Sequence, residues 1–445
     1  MKGKGWERLK VGDIAAPGRN SIVGGPFGSD LVSKDYVPNG IPVIRGANMG
    51  NGRWVSGEFV YVSKAKAESL AANCAKPGDL IFTQRGTIGQ IALVPQNGPS
   101  RYLLSQSQMK LSSDAKKADA LFLYYNFSGS QQQKYIQQNA IRTGVPHTNL
   151  GILRDTPLLL PPLSQQRAIA DIVGALDSKI ELNNQINAEL EAMAKLLYDY
   201  WFVQFDFPMT AAQAASLGRP ALEGKPYKTS GGKMVHSPTL NRKIPEGWSA
   251  DTLDKLGQVV GGTTPSKEND AYYCEAGIPW ITPKDLSNNK GRKFIDRGEI
   301  DVTEAGQKRG SLKLMPAGTV LLSSRAPIGY TAIACNPLTT NQGFKSFVPS
   351  KGYGSDFIFR TLNHFMKLIE QNASGSTFRE ISGGTLKAIK IPMPHPSLAK
   401  LYCDKVKSMS AQQQNLEKQN QELTQLRDWL LPMLMNGQVT VTQDQ

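Results

Sequence analysis

Arg85-Gly86-Thr87-Ile88-Gly89 recurs 240 positions later as Arg325-Ala326-Pro327-Ile328-Gly329, and this recurrence decides how the rest of the chain is read. Self-similarity at a fixed distance is the mark of a repeat architecture. Just before it, Pro77-Gly78-Asp79-Leu80-Ile81 is answered by Pro316-Ala317-Gly318-Thr319-Val320. Further out, Ile41-Pro42-Val43-Ile44 is answered by Ile278-Pro279-Trp280-Ile281, and Gly5-Trp6 by Gly247-Trp248. Leu153 and Pro161 match Leu386 and Pro394. Ordered matches at offsets that drift only between 233 and 242 define a tandem duplication.

Each copy has one internal plan. A Gly-, Pro-, Ser- and Thr-rich segment with short β-branched runs is followed by a long helix. Leu80-Ile81-Phe82 and Val320-Leu321-Leu322 read as buried strands. Ala120 to Gln138 and Asp356 to Gln371 read as helices with aromatic residues on one face. In the first long helix Ile169, Val173, Leu176, Ile180, Asn183, Asn187, Leu190, Ala194, Leu197 and Trp201 keep a 4-3-4-3 spacing. Tyr402, Val406, Met409, Gln413, Leu416, Asn420 and Leu423 keep it in the second, before the seam drifts to Leu426, Leu430 and Met433. This is the heptad seam of a coiled coil, with each helix roughly 57 Å long. Seam asparagines either sit at exposed positions that tolerate them or fix the alignment of the helices at some cost in stability.

The expected fold class is therefore α+β, with two duplicated α/β domains joined by an intramolecular antiparallel coiled coil of two long helices. The boundaries are 1–160 for the first domain, 161–205 for its helix, 206–243 for an irregular linker, 244–393 for the second domain, 394–436 for its helix and 437–445 for a tail. A linker of that length, broken by Pro208, Pro220, Pro226, Pro238 and Ser230-Gly231-Gly232, lets the second helix return antiparallel with the domains at opposite ends of a rod.

The chain has 445 residues, 51 Lys+Arg against 37 Asp+Glu, and a formal net charge of +14. Hydrophobic residues at 40 % allow sizeable cores. No apolar run approaches a membrane span, the start lacks a signal-peptide core, and four separated cysteines suit a reducing cytoplasm. Residues 1–164 carry +9, 165–205 carry −3, 206–243 carry +4, 244–396 carry +4, 397–435 carry +1 and 436–445 carry −1. The helices are nearly neutral and the repeats hold the excess, the pattern of a two-part nucleic-acid reader. Phosphate-loop, dinucleotide, nucleophile-elbow and zincin motifs are absent, as is an Asn- or Asp-Pro-Pro-aromatic tetrapeptide. His147, His236, His364 and His395 show no metal-ligand spacing, so no catalytic or metal residue is assigned.

The order of these pieces resembles the specificity subunits of type I restriction-modification systems. The resemblance is carried by the two Gly-Trp openings, the Pro-Gly-Asp strand and the Arg-Gly-x-Ile-Gly turn. It extends to Leu158-Leu159-Leu160-Pro161-Pro162-Leu163-Ser164-Gln165-Gln166-Arg167, Gly224-Lys225-Pro226-Tyr227-Lys228-Thr229-Ser230-Gly231-Gly232 and Ile244-Pro245-Glu246-Gly247-Trp248. The second helix entry, Pro394-His395-Pro396-Ser397-Leu398-Ala399-Lys400, lacks the Gln-Gln-Arg of the first. That difference implies unequal helix ends for partner subunits.

The resemblance implies a non-catalytic DNA reader in a bacterial or archaeal cytoplasm, each repeat a target recognition domain for half of a split, asymmetric double-stranded DNA site. The helices would set the gap and dock two methyltransferase subunits, with restriction-translocase subunits completing the complex and no membrane involved. The chain itself would bind no cofactor. S-adenosylmethionine would belong to the methyltransferase subunits, and ATP and Mg to the restriction subunits. Candidate DNA contacts are Arg45 and Asn48, with Lys284 and Asp285 as rough counterparts, and Arg85 with Thr87 and Arg325. Arg142, Thr143 and His147, with Thr377 and Arg379 in the second copy, stand before the long helices, and Lys267 lies in a Gly-rich turn. Arg suits guanine O6/N7 and Asn suits adenine N6/N7. Arg85 and Arg325 either contact DNA or brace their loops through a carboxylate or carbonyls. Two other classes stay open: a coiled-coil adaptor with unspecific nucleic-acid binding, and a self-contained DNA modification enzyme.

Overall fold

A computed structural model of the chain describes residues 5–50, 52–141, 145–375, 379–439 and 441. It divides into two units, one of residues 1–181 with 421–445 and one of residues 182–420. The long helices, Leu163–Tyr198 and Pro396–Met435, each contribute to both units.

In the first unit, strands Ile22–Gly24, Gln108–Leu111, Leu80–Thr83 and Ile91–Leu93 lie in that order in an antiparallel sheet. A second, mixed sheet orders Tyr36–Val37, Val60–Val62, Ile41–Ile44, Tyr102–Leu104 and Cys74–Ala75. Strand alternation turns Ile81 toward Ile44, Ala92 and Leu104, between the sheets. It turns Leu80 and Phe82 toward Phe122, Phe127, Ile169 and Val173 on the helical side. Glu7–Lys10 pairs antiparallel with Pro157–Leu160 and so closes the repeat just before its helix.

The second unit repeats this topology. Gln258–Gly261, Lys345–Val348, Val320–Ser324 and Ile328–Ala334 match the first sheet, with Phe294–Ile295 added at its edge. Tyr273–Cys274, Asp301–Val302, Ile278–Ile281 and Thr339–Thr340 match the second, and Ser249–Thr252 pairs with Lys390–Met393. The duplication read from short motifs is thus a duplication of strand order. The helices expected over 120–138 and 356–371 are each two pieces. They are Ala120–Ser128 with Ser130–Asn139, broken at Gly129, and Ser355–His364 with Met366–Gln371.

The stretch expected to be an irregular linker is folded onto the second unit. Phe207 stacks on Tyr227 at 4.6 Å and on Trp248 at 5.7 Å. The Asp206 carboxylate accepts bonds from the Thr229 N–H and hydroxyl, both at 2.7 Å. Met234–Ser237 and Arg242–Pro245 form a hairpin, and Thr210 caps the short helix Ala211–Ser216. Its apolar anchors are single residues separated by turns, which is why no periodicity announces them. Trp201 lies beyond the α-helix, in a π-helical turn at Asp199–Val203, and joins the same aromatic cluster.

The helices pair antiparallel within each unit. In the second unit the Tyr402 hydroxyl donates to the Ala194 carbonyl at 3.0 Å, and Gln413 Nε2 donates to the Asn187 carbonyl at 3.3 Å. Asn183, fully buried, donates to Asn420 Oδ1 at 2.9 Å and to Gln419 Oε1 at 2.8 Å, while Asn420 Nδ2 donates to Asn184. In the first unit Ile169 and Val173 share a core with Leu434, and Arg427 donates to Asp177 at 2.8 Å. Val406 is buried, while Leu176, Ile180, Asn187, Leu190, Leu197, Met409, Leu416 and Leu423 are half-buried. Leu426, placed on the seam from its spacing, is 43 % exposed, and Leu434 rather than Met433 is buried. A straight helix drifts about 20° per heptad from a 3.5-residue repeat, enough to turn the last positions off the seam.

Each globular repeat also grips its own helix through buried charge. Arg53 donates to the Gly174 carbonyl, Ser178 and Glu181. In the second unit Lys293 sits 2.6 Å from Asp356 and 2.9 Å from Ser410, and the backbone N–H groups of Lys293 and Phe294 hold the Glu417 carboxylate. Burial pushes the Glu417 carboxyl above its ordinary range, against the pull of those two N–H groups. Removing the Asn183 amide leaves the buried Asn420 Oδ1 without its donor, at a cost of about 1–3 kcal/mol. Asn183→Leu is expected to lower stability to urea by that amount, and Asn183→Leu with Asn420→Leu to recover most of it. Equal loss in both variants would contradict a role for the amide pair in alignment.

Candidate nucleic-acid interface

The first repeat's cleft grows out of the Arg85–Gly89 turn. Strand Leu80–Thr83 is buried on both faces, so the chain emerges from it rigidly at Gln84 and Arg85. The Arg85 N–H donates to the Ser107 carbonyl and the Gly86 N–H to the Pro146 carbonyl, both at 3.3 Å. Gly89 has φ +100°, a backbone conformation that disfavours any side chain, and a Cβ there would also displace the Gln133 amide, 2.5 Å away. Around this turn lies a cleft of about 660 Å³, whose lining includes Arg45, Arg85, Thr87, Gln90, Gln106 and Gln108. Arginine offers donors only, while the Gln90 and Gln106 amides offer both donors and acceptors, the mixture that base edges require; Gln108 is fully buried, its Oε1 bonded by Ser105.

The second repeat builds its counterpart on the same frame. Isolated backbone bridges join Arg85 and Ile141 to His147 in the first copy, and Arg325 and Ser374 to Glu380 in the second. Glu380 therefore stands where His147 stands. The Arg325 guanidinium lies 3.5 Å from the Glu380 carboxylate, with Lys345 at 4.0 Å on its other oxygen. Arg379 donates to the Glu370 carbonyl. Arg325, Glu370, Arg379 and Glu380 line a cleft of about 690 Å³ with Pro327, which replaces Thr87. Arg325 is thus braced by a carboxylate, whereas among the described residues Arg85 has no ion-pair partner.

Three of the twelve proposed contacts meet in the first cleft: Arg45, Arg85 and Thr87. Arg325 and Arg379 meet in the second. His147 is part of the first frame, its Nδ1 3.1 Å from the Val145 carbonyl. Lys267 is exposed on its loop. Lys284 is exposed and lies 2.6 Å from Glu299. Arg142, Thr143 and Thr377 lie outside the described residues.

Asn48 corrects the reading from spacing. It is buried, with Oδ1 accepting the Arg45 N–H and Nδ2 donating to the Ser56 and Glu58 carbonyls, so no edge is left for adenine. Asp285 does the same work in the second copy by accepting the Thr282 N–H and hydroxyl. The counterpart of Arg45 is accordingly Thr282, not Lys284. The spacing reading missed Gln90, Gln106 and Gln108. The polar run Ser105-Gln106-Ser107-Gln108 beside an apolar strand was the available signal.

A sequence family model described as the type I restriction modification DNA specificity domain matches residues 3–192 and 245–425, one match over each repeat and most of its helix. The duplicated fold and this match define a two-copy DNA-specificity protein. The chain belongs to the type I restriction-modification DNA specificity family. It is 41 % identical over 201 residues to the type I restriction enzyme MjaIX specificity subunit of Methanocaldococcus jannaschii, covering 42 % of this chain and 45 % of that one. It is 26 % identical to the HindI specificity subunit of Haemophilus influenzae, over 98 % of this chain and 99 % of that one. The crystal structure of the type I restriction-modification S subunit from M. genitalium shares the fold, with TM-score 0.59 and 16 % identity over the whole of both chains. Among the described residues no helix is long and apolar enough to cross a membrane.

Arg85→Ala is expected to weaken specific DNA binding by about 1–3 kcal/mol without unfolding the protein. Asn48→Ala is expected to lower the melting temperature and leave affinity intact while the protein stays folded. Anisotropy titrations alongside thermal unfolding separate the two. Unchanged affinity in a folded Arg85→Ala variant would remove Arg85 from the interface.

Proposed function

We propose that this chain is the sequence-reading subunit of a type I restriction-modification complex, each repeat reading one half of a bipartite, asymmetric double-stranded DNA site through the cleft beside its Arg85 or Arg325 turn. The observation that carries this reading is the common frame of the two clefts with different side chains upon it. Arg85, Thr87 and His147 stand in one where Arg325, Pro327 and Glu380 stand in the other. One frame with two residue sets suits two different half-sites, since base discrimination depends on which donors and acceptors meet the base edge. The paired helices are the element that fixes the gap between half-sites and offers docking surfaces to two methyltransferase subunits.

In this reading methyl transfer belongs to those partners, which bring S-adenosylmethionine, while restriction-translocase subunits bring ATP and Mg. The chain supplies the choice of sequence, in the cytoplasm of a bacterium or archaeon. The adenine to be methylated has to leave the stack, so the reader holds flanking base pairs while another subunit opens the target.

Methylome sequencing of cells carrying this chain with its methyltransferase subunit tests the reading. The expected result is one asymmetric motif of two specified blocks separated by an unspecified gap. A continuous motif would contradict it. So would equal competition by random and motif-bearing duplexes at fixed salt, which marks purely electrostatic binding.

A further inference from the structure

The turn Gly24-Gly25-Pro26-Phe27-Gly28-Ser29 carries the most exposed large apolar side chain among the described residues, Phe27 at 88 %. The turn is held from several sides. The Gly25 N–H donates to the Gln108 carbonyl at 2.8 Å, and a Cβ on Gly25 would lie 1.9 Å from the Ser105 carbonyl oxygen. Pro26 is buried. The Phe27 carbonyl accepts the Asp30 N–H at 2.7 Å. Gln106 Nε2 donates to the carbonyls of Gly28 at 2.6 Å and Leu31 at 3.0 Å. A bare phenyl ring is thus carried on a hydrogen-bonded turn, one residue from Gly28, which lines the cleft and is bonded by Gln106 of the same lining.

The second copy places Thr264 at the matching position, and its hydroxyl donates to Gln342, the counterpart of Gln106. There the turn is closed by its own side chain. In the first copy a side chain without a hydrogen-bonding group stands at that point, and Gln106 bonds backbone carbonyls instead.

A rigidly mounted apolar ring at the rim of a cleft rich in arginine and amides suits a duplex whose phosphates are drawn by the cations and whose bases have apolar faces. Proteins that distort DNA insert Phe, Leu or Met between base pairs, and aromatic rings stack on exposed bases. We propose that Phe27 is a DNA-contacting wedge of the first repeat, stacking at one base step of its half-site, and that the second repeat has no such wedge. The inference rests on the reading that the first cleft binds DNA.

The test uses the full chain purified with its methyltransferase subunits, and duplexes enriched by that complex from a randomised pool. Phe27→Ala is expected to weaken binding of the enriched duplex roughly 5- to 100-fold. The salt dependence should not change, because no phosphate contact is removed. Phe27→Trp should retain most of the affinity. With 2-aminopurine placed at positions other than the adenines to be methylated, the wild-type complex should raise fluorescence at one step of one half-site, and Phe27→Ala should abolish that rise.

Wild-type affinity and an unchanged fluorescence pattern in Phe27→Ala would overturn the wedge while leaving the DNA-reading role intact. Loss of the methyltransferase subunits from the Phe27→Ala complex would also overturn it, in favour of a protein contact. Failure of the wild-type complex to enrich any sequence would instead bring down the reading of the cleft itself.

Discussion

The polar register of the paired helices is the constraint on which each unit depends. A seam of leucines tolerates sliding, because one leucine packs against another at many offsets. Asn183 against Asn420 does not, since a displaced buried amide faces apolar side chains and forfeits its hydrogen bonds. Charged contacts repeat the restriction on both sides. In one unit Asp177 takes bonds from both Tyr125 and Arg427, and Arg53 spans Gly174 to Glu181. In the other, Arg360 meets Glu191 at 2.5 Å and Glu417 holds the backbone at Lys293 and Phe294. Breaking a fully buried pair costs about 3–5 kcal/mol and these partly exposed pairs cost less each, yet a slipped register forfeits several of them at once. These contacts carry little net stability compared with apolar packing. Their effect is to admit one alignment.

The two repeats show what a duplicated frame keeps and what it releases. Strand order, the closing pair of strands and the bridges around Arg85 and Arg325 are kept. Asn48 and Asp285 are different residues that satisfy the same backbone N–H, so the turn survives the exchange. Inside the first copy Asp79 and Lys110 form a buried ion pair at 3.2 Å, while Thr319 occupies the Asp79 position and bonds the Pro316 carbonyl. At the clefts the freedom goes further: His147 against Glu380, Thr87 against Pro327, Phe27 against Thr264. Backbone hydrogen bonds hold the loops, so the side chains above them are free to change.

Much of this was legible in the sequence because it rests on spacing. The duplication, the buried strands, the heptads and the seam asparagines are periodic or repeated, and periodicity survives without coordinates. The folded stretch from Asp206 to Lys243 was not legible, since Phe207, Tyr227 and Trp248 meet across turns and share no period. Arg53 and Lys293 were not legible either. Their partners Glu181 and Glu417 lie more than a hundred residues away, and nothing local marks a lysine or arginine for burial. Of the cleft, Arg85 and Arg325 could be found by repetition. Gln106 had a signal in its polar run, whereas Gln90 becomes visible only when the turn and the neighbouring strand end are brought together. Asn48 shows the opposite failure, a residue of the right chemistry whose every polar atom is already occupied by its own backbone.

We propose that the two clefts read independently, one for each half of the site. The most direct measurement is the full base-preference profile of the complex, obtained by sequencing bound duplexes from a randomised pool, for Arg85→Ala and Arg325→Ala separately. Preference should relax within one block of the motif for Arg85→Ala and within the other block for Arg325→Ala, with the gap length unchanged in both. A profile in which either substitution alters both blocks, or in which both alter the same block, would contradict the account.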